Sequence, residues 1–546
     1  MNPQTKNCKN CQSSFTIEPD DFGFYEKINV PPPTWCPTCR AMRRLTWRNE
    51  RTLYKRKCDA PGHEEMLITN YSPETGIPVF DQKYWWSDAW DAIEYGREYD
   101  FTRPFFQQFR DLIRVVPIPN LINLEVVSSD YCNFTYQSKN CYLNFASDIN
   151  EDSAYLHHTT HSNSSFDLLG CEKMNMCYEC VHSFGCFNST YLRFSNQCID
   201  ASLLYNCNNC QSCFGCVNLR NAKYMIFNQQ YSKEEYVQEL ERMQVNTRDG
   251  FTVAWERFEK HRLQYPHRFA TTLQVKNVSG DYLYNAKNCT MCFDIQGPAE
   301  DCKNVVYAIK DVRDCRDSHG LGIMEQGYEL MGSGDNAFNM QFCSLIFVGN
   351  NTLYSSQCMR VANIFGCAGL KDKKYCILNK QYSKEEYEAL VPKIIAQMKS
   401  TGEYGEFFPA AMSPFAYNET IAQEFFPLSK DEIIKKGFTW QEPEVKNYAI
   451  GGDIIACDHG GTCNDQCTTA FKLIPSELEF YERMKIPHPR LCPNCRHYQR
   501  LAQRNPLKLW HRKCMNAGCE NEFETSYSPD RKETVYCEKC YQAEVS

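Results

Sequence analysis

The sequence predicts a mixed, mainly β fold: a central β-solenoid, duplicated along the chain, with capping helices and a small cysteine-rich module at each end. Three observations carry this prediction. The two ends match without a gap at an offset of 456 residues, which aligns Phe15 with Phe471, Phe24-Tyr25-Glu26 with Phe480-Tyr481-Glu482 and Cys36 with Cys492. The middle matches itself at an offset of 151, where FGCVNLRNAKYMIFNQQYSKEEY from Phe214 recurs as FGCAGLKDKKYCILNKQYSKEEY from Phe365. Within the first central copy, markers such as Tyr131, Tyr142, Tyr155, Phe166, Tyr178 and Tyr191 fall eleven to thirteen residues apart, room for a short strand and a polar turn. Two such intervals per coil predict a rung of roughly 20 to 26 residues.

The chain then divides in order. A zinc-binding module spans 1–82 and an aromatic-rich helical connector 83–126. The first solenoid copy with its capping helix spans 127–240, a helical linker 241–277, and the second copy with its helix 278–391. A proline- and aromatic-rich strap follows at 392–456, then a double zinc-binding module at 457–546. Each solenoid copy ends in YSKEEY. Ser232 or Ser383 is the expected N-cap there, and Glu235 or Glu386, three residues on, completes a capping box.

Composition narrows the function classes. Hydrophobic residues make up 42% and charged residues 23%, which is globular rather than disordered. The formal net charge of −8 means that any nucleic-acid site has to be a local patch. No run of apolar residues is long enough for a signal peptide or a membrane span, so a cytoplasmic protein without a membrane partner is expected. In that reducing compartment 33 cysteines read as thiolate ligands and buried thiols rather than as a disulfide framework.

Paired cysteines mark the ends. Cys8 and Cys11, then Cys36 and Cys39, supply four thiolates at the spacing of a closed structural zinc site. The second pair runs into a helical pattern, so the helix N-terminus favours thiolate there. This order of knuckle, hairpin, knuckle and helix resembles the treble-clef and zinc-ribbon group. The C-terminal copy keeps Cys467, Cys492 and Cys495 in register. The gap-free match puts Asn464 opposite Cys8, so Cys463 is the expected fourth ligand, with Cys457 and His459 as spare candidates. Cys514, Cys519, Cys537 and Cys540 form a third set. Their N-terminal counterparts are Cys58, His63, Asp81 and Tyr84; Cys58, His63 and Asp81 could ligate, but Tyr84 is a poor zinc ligand, and aromatic packing is the expected replacement. About three zinc ions and no organic cofactor follow.

Other clusters invite chemistry. Cys207, Cys210, Cys213 and Cys216 have the look of an iron–sulfur run. The sibling copy has Val361 and Ile364 at two of those places, which favours inward packing. His157, His158 and His161 lack histidine counterparts in the second copy, and Asp148, Glu151 and Asp152 lack acidic ones, so no catalytic set is expected. Arg40, Arg44 and Arg48 recur as Arg496, Arg500 and Arg504, a four-residue spacing that lines three guanidiniums along one helical stripe in each module. Such stripes could grip phosphates of RNA or DNA, or pair internally with acids.

The segments CPTCRAMRRLTWRNE, YSKEEY, FFPAAMSPFAYNET and LCPNCRHYQRLAQRNP together resemble a family of cysteine-rich zinc-ribbon and treble-clef proteins from bacteria of the candidate phyla. That resemblance spans most of the chain and implies zinc and a cytoplasmic location, with no activity, substrate or catalytic residue attached. The expected function is non-enzymatic: basic zinc modules on a rigid solenoid that bind nucleic acid, RNA foremost. The alternatives are a protein-interaction scaffold and, behind it, a solenoid enzyme or redox protein.

Overall fold

From Glu125 to Phe227 every third residue has φ between +44° and +67°. A left-handed residue turns the chain, so a triplet makes one side and one corner, and four triplets close a coil. Parallel bridges twelve residues apart, such as Val127 to Lys139 and Asn196 to Asn208, measure that coil. The rung is therefore about half the predicted length, because the aromatic markers recur once per coil and not twice. Left-handed backbone costs about 1–2 kcal/mol for most residues and less for Asn and Asp. Many corners are accordingly Asn140, Asp152, Asn188, Asp200, Asn206 and their like. The remaining cost is offset by a coil-to-coil ladder of backbone hydrogen bonds, for example Tyr142 N–H to Ser153 O at 3.1 Å and Tyr155 N–H to Tyr142 O at 3.0 Å. The computed structural model from which this architecture is read describes residues 2–443, 449–463 and 465–545.

A second triplet position points inward, and the narrow interior admits only small or slender side chains. Cys177, Cys180, Ser183, Cys186, Ser189, Leu192, Ser195 and Cys198 are successive interior residues, all buried. Their polar atoms are satisfied along the axis: the Ser153 hydroxyl donates to Glu151 O at 2.7 Å and accepts from Ser165 N–H, one coil on, at 3.1 Å. The second copy repeats the plan with coils of twelve residues, as Cys315 to Gly327, or thirteen, as Thr290 to Lys303.

The chain forms two compact units that cut across its linear order. One comprises 1–121, 270–441 and 507–509; the other comprises 122–269, 442–506 and 510–546. The N-terminal module thus belongs with the second solenoid copy, and the C-terminal module with the first. In the first unit Phe24, Tyr25 and Trp47 join Tyr328, Phe342 and Tyr354 in one core. The strap supplies Phe407 and Phe408, the latter 4.9 Å from the Trp47 ring. In the second unit the helical linker expected over 241–277 forms the helix Arg248–Arg262, which buries Ala254 and Phe258.

The capping boxes form as predicted. Ser232 Oγ accepts from Glu235 N–H at 3.2 Å and the Glu235 carboxylate accepts from Ser232 N–H at 2.9 Å, opening the helix Lys233–Arg242. Ser383 and Glu386 do the same for Lys384–Thr401. Among the described residues no helix is long and apolar enough to cross a membrane.

Candidate metal centres

In the N-terminal module the strands Gln4–Asn7 and Ser14–Ile17 pair antiparallel and hold the first knuckle between them. Cys36 is the N-cap of the helix Pro37–Leu45, with Pro37 at its first turn where no N–H is needed. The four sulfurs of Cys8, Cys11, Cys36 and Cys39 lie within 4.8 Å of one another. A tetrahedral ion bound at about 2.3 Å would hold its sulfurs about 3.8 Å apart. Cys11 and Cys36 Sγ are 3.8 Å apart, the separation such an ion needs. The neighbouring Cys39 thiol and backbone N–H outweigh burial and bring the Cys36 thiol down to about 5.

The C-terminal module repeats this frame with one difference. Cys492 caps the helix Pro493–Leu501, and the Cys495 thiol beside it draws the Cys492 thiol down to about 4. Its tetrad, however, is Cys457, Cys467, Cys492 and Cys495. Cys492–Cys495 is 3.5 Å and Cys457–Cys495 3.9 Å. Backbone geometry identifies Cys457, not Cys463, as the counterpart of Cys8: Cys492 N–H donates to Cys457 Sγ at 3.3 Å just as Cys36 N–H donates to Cys8 Sγ at 3.2 Å. The gap-free alignment misplaces this ligand because the knuckle has grown. Its strands, Ile454–Ala456 and Ala470–Lys472, enclose residues 457–469, whereas only residues 8–13 lie between the N-terminal pair. Cys463 remains close by, its sulfur 3.7 Å from Cys495.

Cys514, Cys519, Cys537 and Cys540 form the third tetrad, with Cys519 and Cys537 3.9 Å apart. Burial works against ionisation of Cys537, but the Cys540 N–H and neighbouring polar groups outweigh it and leave the thiol at about 6. The N–H to sulfur bond recurs here from Cys537 to Cys514 at 3.3 Å, and in the N-terminal relic from Asp81 to Cys58 at 3.3 Å. The relic has otherwise changed its chemistry. His63 Nδ1 lies 2.7 Å from a Glu65 oxygen, with its ring edge-on to Tyr84, and the Asp81 carboxylate caps the helix Gln82–Trp86. Rings of Phe80, Tyr84, Trp85 and Trp90 pack where the fourth thiol would stand.

The arginine stripes point inward, which corrects the phosphate-binding expectation for them. Arg40, Arg44, Arg48, Arg496 and Arg500 are at most 8% exposed, and Arg504 is half-buried. Arg40 meets Asp317 at 2.7 Å, and Glu329 receives Arg43 at 3.3 Å and Arg44 at 2.7 Å. Arg48 pairs with Glu50. In the other unit Arg496 meets Asp167 at 3.1 Å and Glu477 at 3.2 Å, while Arg500 meets Asp167 at 2.8 Å and Glu179 at 2.9 Å. Burial pushes the Glu179 carboxyl up to about 7, with Arg500 pulling the other way. Asp317, Glu329, Asp167 and Glu179 are solenoid residues, so each helix fastens its module to the coils. The acids recur between the copies, Asp167 with Asp317 and Glu179 with Glu329, at an offset of 150 rather than 151. That recurrence was the available signal.

The remaining clusters resolve into coil geometry. Cys207, Cys210, Cys213 and Cys216 are the four inward positions of one coil, and each thiol faces the carbonyl two residues earlier, from 3.6 Å at Tyr205 O to 3.3 Å at Phe214 O. In the second copy Cys358, Val361, Ile364 and Cys367 are buried in the same way. Burial raises other interior thiols to about 12, as at Cys171 and Cys343. We therefore expect a thiol reagent added to the native, metal-loaded protein to leave the interior cysteines unlabelled, and denaturant to release all 33. Rapid native labelling of Cys171 or Cys343 in a mass-spectrometric map would contradict this packing. His157 and His158 are buried with rings 4.2 Å apart, whereas His161 is exposed, so the three do not converge. No family model and no curated protein matches the chain.

Proposed function

We propose that the chain is a non-catalytic, zinc-stapled scaffold that binds other proteins through the outward faces of its solenoids. The observation that supports this most is the inward turn of the arginine stripes. The charged helices of the end modules are spent on holding coils, which leaves the coil exteriors as the surface for partners. Zinc is the ion of choice because each closed set holds four thiolates, a soft donor set in a tetrahedral arrangement with no open position for substrate. A reducing compartment such as the cytoplasm suits so many free thiols. On the first copy, Phe187 and Ile199 bridge adjacent coils, and Phe184 lies one triplet before Phe187; all three are exposed.

Exposed apolar groups on a rigid, regular face are what a protein partner would bury. The test is affinity capture on the purified full chain after nuclease treatment, compared with the Phe187→Ser, Ile199→Ser variant. Partners captured by the parent and reduced at least tenfold by the variant are expected. Co-purifying RNA or DNA, with capture abolished by nuclease, would replace the scaffold by a nucleic-acid role built on residues other than the stripes.

A further inference from the structure

The enlarged C-terminal knuckle carries more ligands than one ion can use. Between Cys457 and Cys467 it holds His459, Cys463 and Asp465, all of them types that bind transition metals, whereas the two residues between Cys8 and Cys11 are Lys9 and Asn10. One ligand atom each from His459, Cys463, Asp465 and Cys495 lies within 4.8 Å of every other. This set overlaps the closed tetrad of Cys457, Cys467, Cys492 and Cys495 at a single residue, Cys495. Cys463 Sγ and Cys495 Sγ are 3.7 Å apart, the separation of two sulfurs on one tetrahedral ion, about 3.8 Å.

The histidine supplies an independent sign. His459 Nδ1 is buried and has no hydrogen-bond partner among the described residues. The Asp465 carboxylate is 3.7 Å from it, too far for a hydrogen bond but within the span of two ligands on one ion. A buried ring nitrogen left unpaired is costly unless something else takes its lone pair or its proton. A metal ion would take the lone pair.

We propose that the C-terminal knuckle binds two zinc ions that share the Cys495 thiolate. The first sits in the closed four-sulfur site. The second is held by His459 nitrogen, Cys463 sulfur, an Asp465 oxygen and the second lone pair of Cys495 sulfur. Its donors are mixed and partly exposed, so it exchanges with solvent metal faster than the first. This inference rests on the zinc reading of the tetrads and extends it from three ions to four.

The test is native mass spectrometry of the full chain equilibrated with zinc, beside a His459→Ala, Cys463→Ser variant that leaves all twelve tetrad cysteines in place. Four zinc per chain in the parent and three in the variant are expected. Replacement by cobalt adds a second readout. Two cobalt ions joined by one thiolate couple magnetically, so the parent gives less electron paramagnetic resonance signal per cobalt than the variant. Three zinc in both proteins overturns the second ion and leaves the tetrads intact, as does four in both. No bound zinc in either protein overturns the tetrad reading and this inference together.

Discussion

Removing metal from the protein, with a strong chelator under reducing conditions, is expected to unfold the three thiolate knuckles and lower the melting temperature by more than 10 °C. Four thiolates gathered within 4.8 Å repel one another once no cation lies between them. Structural zinc sites contribute apparent free energies of about 10–16 kcal/mol in small finger domains. A compact domain has a net stability of only about 5–15 kcal/mol, so the loss of even one ion is comparable with the whole margin. The knuckle helices also carry the arginines that hold the coils, and their disordering propagates into the solenoid. Circular dichroism and calorimetric melts before and after chelation, with zinc re-addition as the control, measure this. An unchanged melt would mean that the tetrads are packing features alone.

The second large effect is expected from the acids that receive the arginines. Glu329 is fully buried and faces Arg40, Arg43 and Arg44, so Glu329→Ala leaves three guanidiniums without their shared counter-charge. Breaking a buried pair by deleting one partner costs about 3–5 kcal/mol. The corresponding change in the other unit is Asp167→Ala, which removes the carboxylate that Arg496 and Arg500 share. Because the two networks belong to separate compact units, each variant should shift one denaturant transition and spare the other, read by tryptophan fluorescence and by hydrogen exchange. A loss below about 1 kcal/mol in both variants would show that the aromatic cores, rather than the ion pairs, hold the modules, since exposed pairs contribute no more than that. Replacing the whole network by apolar residues is expected to cost less than removing the carboxylate alone, because no charge is then left buried.

Much of this architecture was open to reading from residues. The knuckle cysteines declare themselves by spacing, and Ser232 with Glu235 and Ser383 with Glu386 announce their helices, because these are local chemistry. The coil length was not open in the same way. A left-handed corner can be Asn140, which suggests it, but also Leu143, Ile149 or Tyr155, which do not. The ladder hydrogen bonds, not the side chains, stabilise those corners. The partners of the arginines are harder to read for another reason: Arg44 and Glu329 are 285 residues apart, and the recurrence of the acids between the copies marks them without saying which arginine each one meets. Cys457 stands only as a spare candidate in the sequence because the identities begin at Cys11 and Cys467, so nothing upstream reveals that the backbone has seven more residues between its strands.

The crossed pairing of modules and solenoids bears on synthesis. As the nascent chain leaves the ribosome, the N-terminal module emerges before the coils it grips, with Asp317 and Glu329, which come 277 to 285 residues later. The first coils emerge next and must wait for Arg496 and Arg500, which follow Asp167 by 329 and 333 residues. Neither unit can close on its own neighbours in time, and the one built on the second solenoid has all but residues 507–509 in place first. In the interval a half-made solenoid shows an unclamped flank to the cell. A message that stops short after residue 441 would leave one unit lacking only residues 507–509 and the other without its clasp.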